Sequence, residues 1–153
     1  MTRNLLSRNP LSDDEFVAQV EACSYPIEKF KHLDHVRLAW IYLQRHSYQE
    51  AESRMKAAIA RFASHHGAER KYHVTITVAW MRLLSAAAQP TPTQPTATHP
   101  TPHSTFPEFA AAHPWIADKN AISVYYSDHA LSSEDARQTW IPPDLKPFPP
   151  HPE

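Results

Sequence analysis

The chain has 153 residues, 42% of them hydrophobic and 20% charged, which suits one globular domain and excludes a chain disordered throughout. Fifteen Lys and Arg against sixteen Asp and Glu leave a net charge of -1, so the sequence offers no basic footprint for nucleic acid or an anionic membrane surface. Cys23 is the only cysteine, which rules out an internal disulfide, and the opening MTRNLLSRNPLSDDEF has no apolar run long enough for a signal peptide or membrane span; a reducing cytosol is the expected compartment.

The first predicted helix runs from Ser12 to Cys23. Ser12 and Glu15 stand in capping-box spacing, Leu11 and Phe16 are placed as a hydrophobic staple, and Phe16, Val17, Val20 and Cys23 share one face. A second helix, over about 34–46, turns Val36, Ala39, Trp40 and Leu43 inward. A third, over 48–65, does the same with Ala51, Met55, Ala58, Ile59 and Phe62, and Gly67, the single glycine, stops it. In KYHVTITVAWMRLL the residues Tyr72, Val74, Ile76, Val78 and Trp80 alternate as a strand would. A lone strand needs a partner, and ISVYYS at 122–127 is short and distant. Helical spacing also sets Tyr72, Ile76, Trp80 and Leu83 on one stripe, and helix is the reading adopted.

Short helices are predicted at 106–113, 116–126 and 132–137. The expected fold is therefore all-α: one domain over 1–153 with an irregular four-helix core, short C-terminal helices and extended proline-rich segments. Most of the fifteen prolines fall in two stretches. QPTPTQPTATHPTPHS, 89–104, holds five prolines and five threonines with almost nothing apolar, and reads as a mobile insertion, a linker more than a phosphorylation target. The proline-rich tail, 141–153, keeps Ile141, Leu145 and Phe148 beside Trp140, and is expected to lie against the body. No internal repeat is present.

The most chemically specific stretch is KFKHLDHVRLAW, 29–40. His32 and His35, three apart across a helix entry, can converge on a metal ion, but two ligands make half a site. His73, on a stripe with Thr77, is the best third donor, and three imidazoles with open positions suit catalytic iron, copper or zinc. Asp34 is either a helix cap accepting amides near Val36 and Arg37, or a fourth ligand or orienter of a histidine. Tyr72, Thr77 and Trp40 are expected to line the pocket, with Asp34, Tyr72 and Thr77 as candidate catalytic residues.

The remaining groups are weighed down. His65 and His66 read as helix-end or solvent residues, His113 and His129 as reserve ligands, and His99, His103 and His151 have no assigned role. Cys23 reads as core and Arg37 as half of an ordinary ion pair. One glycine excludes a glycine-rich phosphate loop.

F-K-H-L-D-H-V-R-L-A-W, the later HHG and K-Y-H-V-T-I-T resemble the signature of a set of short bacterial and fungal hypothetical proteins with no established function. The likeness covers residues 28–84, with weaker echoes in HPWIADKNAISVYYS. It implies that the His32, His35 and His73 regions belong to one feature. The expected function is a small metal-dependent enzyme acting on a small molecule, by oxidative, lyase or hydrolytic chemistry. The competing class is a non-catalytic helical module whose proline-rich segments dock on partner domains.

Overall fold

The computed structural model describes residues 11–88 and 105–148, and every regular element among them is helical. The α-helices are α1 (Asp13–Glu21), α2 (His32–Arg45), α3 (Tyr48–His65), α4 (Val74–Ala88), α5 (Phe106–Ala112), α6 (Asp128–Leu131) and α7 (Glu134–Gln138). Short 3₁₀ segments occupy Ile27–Lys29, Glu69–Lys71, Pro114–Ala117 and Lys119–Val124. The predicted insertion at 89–104 and the tail beyond 148 lie outside the described residues.

The Ser12 hydroxyl accepts the Glu15 amide at 3.1 Å while the Glu15 carboxylate accepts the Ser12 amide at 3.1 Å, so α1 starts with both orphan donors satisfied. The helix ends at Glu21, short of Cys23. That cysteine turns the chain with φ +64° and is buried, its thiol 3.7 Å from the Arg61 carbonyl. Arg37 of α2 reaches α1: its guanidinium pairs with Asp13 at 2.8 Å, donates to the Leu11 carbonyl at 2.9 Å and lies over the Phe16 ring.

Helix α2 begins at His32, two residues before the expected start. Asp34 is its third residue, and its carboxylate accepts the Lys31 amide at 3.4 Å. An acid at the third position can serve the chain entry by reaching back, so Asp34 need not precede the helix to cap it. Helix α3 closes with Gly67 at φ +69°, where the Gly67 amide meets the Ser64 carbonyl and the Ala68 amide meets the Ala63 carbonyl. That pair of bonds needs a left-handed residue, which glycine supplies without a Cβ penalty.

The segment that alternates like a strand is helical. α2 and α3 pack against α4 and against each other, while α7 also contacts α4, so Thr75, Val78, Ala79, Met81, Leu83 and Leu84 are buried. A helix covered from several directions is apolar nearly all round, and this blurs its 3.6-residue period. The C-terminal cover is more broken than predicted. In place of one helix over 116–126, two 3₁₀ turns meet at Asp118, whose carboxylate accepts the Asn120 amide at 2.9 Å, and they bury Ile116 and Ile122. The predicted helix near 132–137 is α7, and it is preceded by α6; Ser127 and Ser133 cap them. The chain then runs without helix as far as Phe148, bending over 144–146, with Tyr126 donating to the Ile141 carbonyl at 2.7 Å and Phe148 4.9 Å from the Tyr125 ring.

Thr75 clamps this cover to the core. Its fully buried hydroxyl donates to the Thr139 carbonyl at 2.8 Å and accepts the Ile141 amide at 3.1 Å. Thr75→Val keeps the shape but strands both backbone groups, so it should cost about 2–4 kcal/mol by urea denaturation, whereas Thr75→Ser should cost about 1 kcal/mol or less. Equal losses would show that the hydroxyl is not the clamp.

Candidate functional site

The start of α2, the entry to α4, the Lys119–Val124 turn and α6 enclose a cavity of about 460 Å³. His32, His35, Tyr72, His73 and Thr77 all line it. Asp34 and Trp40 are not among its lining residues. Trp40 is buried instead against Phe106 and Phe109, because α5 packs over that face of α2.

A backbone carbonyl can only accept a hydrogen bond, and this assigns the imidazole tautomers. His32 is the first residue of α2, and its Nε2 lies 2.8 Å from the Ile116 carbonyl, so Nε2 carries the proton and Nδ1 keeps its lone pair. Its ring meets Trp80 edge-on at 4.9 Å, with Trp115 stacked on Trp80. His35 is the mirror case. Its Nδ1 donates to the Lys31 carbonyl one turn earlier at 3.2 Å, which leaves Nε2 as the acceptor, and its ring rests 4.3 Å from that of Phe30.

His73 is different, because both of its nitrogens are engaged. Nδ1 accepts the Ile76 amide at 3.1 Å, the role usually filled by a serine or aspartate before a helix, and Nε2 donates to the Leu131 carbonyl at 2.8 Å. His73 therefore caps α4 and ties it to α6. Two lone pairs, one each on His32 and His35, are available to a ligand or metal ion, and His73 offers a third only by giving up its cap. Among the described residues, no group of three or more His, Cys, Asp or Glu is disposed to hold a metal ion.

Thr77 spends its hydroxyl proton on the His73 carbonyl at 2.9 Å. The half-buried Tyr72 has no hydrogen-bond partner for its phenol among the described residues, and burial raises its pKa. The Asp34 carboxylate accepts the Tyr25 hydroxyl at 3.2 Å as well as the Lys31 amide. Of the reserve ligands, His129 is exposed and His113 packs 4.7 Å from the Phe109 ring; neither lines the cavity. His65 is exposed, while His66 packs on Phe62 at 4.5 Å.

Several lining residues escape the sequence analysis: Lys71, Lys119, Asn120, Ser123 and Asp128. Four of them belong to the cover. Nothing local marks Lys71, Ser123 or Asp128; for Lys119 and Asn120 the signal is the polar run between Ile116 and Ile122, which becomes lining once those two isoleucines are buried.

Both His32 and His35 are held below the ordinary imidazole pKa of 6.5. Loss of hydration on burial is the largest cause for each, opposed by the carbonyl bonds to Ile116 and Lys31. Asp118 and Asp34 respectively also oppose it, while Lys119 lowers His32 further and His32 lowers His35. The unfolded chain therefore binds more protons just below pH 6.5, and stability present above that pH is lost as pH falls. The urea midpoint should decline from about pH 7 to about pH 5, and His32→Gln/His35→Gln should flatten that decline. An unchanged slope in the double variant would contradict the assignment.

No protein-family model, curated protein or solved structure matches the chain.

Proposed function

We propose that the chain is a small enzyme acting on a small molecule held in this cavity, with His32 and His35 as its proton-handling pair. One observation carries the reading: each ring is anchored through one nitrogen to a backbone carbonyl, which leaves the other nitrogen as an acceptor on a residue that lines a cavity. A neutral imidazole is the ordinary general base near pH 7, and burial that disfavours protonation keeps its lone pair available. Tyr72 supplies a hydroxyl donor. Thr77 contributes shape and one acceptor lone pair, since its proton is committed. Asp34 acts from behind, its charge partly offsetting the desolvation of His35.

A metal-dependent form of the same reading is favoured by the same anchoring, because ring N–H groups bonded to backbone carbonyls orient metal-binding imidazoles. Nδ1 of His32 and Nε2 of His35 would give iron, copper or zinc two ligands, half of a protein-held site that His73 could extend only by giving up its cap, and the metal would supply a Lewis acid at the cavity.

Screening a fragment library by protein-observed NMR should yield ligands whose shift changes centre on His32, His35, Tyr72 and Trp80. Those changes should vanish in His35→Gln and persist in His113→Gln. Calorimetric titration with Zn²⁺, Fe²⁺, Cu²⁺ and Mn²⁺ in turn then separates the two forms. Fragment binding without metal uptake supports proton transfer alone; uptake lost in His32→Ala and His35→Ala, yet retained in His73→Asn, supports the metal form. Absence of both would return the chain to the class of non-catalytic interaction modules.

A further inference from the structure

The lining of the cavity also specifies a ligand, on the premise that the cavity is a small-molecule site. Val36, Ala39, Ile59, Ile76, Ile122 and Leu131 present no hydrogen-bonding side chain, so a polar group seated against them would lose its water without compensation. The body of the ligand is therefore apolar.

Charge enters elsewhere. Lys71, next to Tyr72, and Lys119, close enough to His32 to lower its pKa, flank the histidine pair from two different turns. Neither lysine takes part in an ion pair among the described residues, whereas Arg37, Arg45, Arg54, Lys56 and Arg137 are each paired with a carboxylate. Among the described residues, Asp128 is the single acidic residue of the lining. With both imidazoles neutral, the lining itself carries two positive charges against one negative, while Asp118 and Asp34 act on His32 and His35 from outside it. The Tyr72 phenol adds a donor with no partner among the described residues; the acceptors of the lining are the lone pairs of His32, His35 and Thr77 and the Asp128 carboxylate.

We propose that the ligand is a small amphipathic anion, an apolar body carrying one carboxylate or phosphate read by Lys71 and Lys119. The lysines are exposed, so the charge contribution is modest and sensitive to salt.

Four probes with one body test this: hexanoate, hexyl phosphate, hexanol and hexylammonium, titrated against the full chain with the NMR signals of His35 and Trp80 as the readout. At about 20 mM salt the anions should bind at least about fivefold tighter than hexanol, and the preference should shrink at about 500 mM. The double variant Lys71→Met/Lys119→Met should lose the preference while still binding hexanol. The tighter of the two anions identifies the head group as carboxylate or phosphate. Hexanol binding as tightly as the anions, or hexylammonium binding more tightly, would overturn the anionic assignment and leave the cavity as a small-molecule site. Failure of all four probes to bind would overturn both.

Discussion

Three backbone carbonyls decide what the histidines of this protein can do. Ile116, Lys31 and Leu131 each present an oxygen that can only accept, so each fixes a proton on the nitrogen facing it. Two of the rings are left with a lone pair. The third gives its remaining nitrogen to the amide of Ile76 and becomes the cap of α4. Three imidazoles that look equivalent in the sequence thus become a pair with one lone pair each and a structural clip.

That division depends on the C-terminal cover. The carbonyls of Ile116 and Leu131 come from the 3₁₀ turn Pro114–Ala117 and from α6, which lie far along the chain from α2 and α4. Thr75 fastens the end of the cover through the Thr139 carbonyl and the Ile141 amide, and Ile116, Ile122 and Tyr126 are buried beneath it. The cover completes the cavity wall, supplies its second lysine and orients two of the three rings. Packing of remote segments, and not the α2 motif alone, sets the tautomers and the burial that keep His32 unprotonated near neutral pH.

The helical core was legible because capping and periodicity agree there. Ser12 with Glu15 marks α1, and Gly67 marks the end of α3 through a left-handed turn that favours glycine. α4 was harder, since burial on several sides leaves little polar face to reveal the helical period; the lack of a partner strand, together with the stripe of Tyr72, Ile76, Trp80 and Leu83, decided it. His32, His35, His73, Tyr72 and Thr77 do line one cavity. Trp40 does not, because an inward position on α2 can face α5 as readily as α4. The capping role of His73 was not legible at all: it rests on one bond to Ile76 and one to Leu131, and no propensity marks an imidazole as a helix cap. The short turns of the cover were blurred for a similar reason, being fixed by single aspartate and serine caps rather than by a period.

The central claim is that His32 and His35 each keep one lone pair while His73 keeps none. Long-range ¹H–¹⁵N correlation spectra of the ring nitrogens at about pH 7.5 read this directly, since a protonated and an unprotonated ring nitrogen have widely separated shifts. The predicted result is a single neutral tautomer for each ring: proton on Nε2 in His32 and His73, and proton on Nδ1 in His35. A doubly protonated His32 or His35 at that pH, or either ring averaging between its two tautomers, would contradict the account.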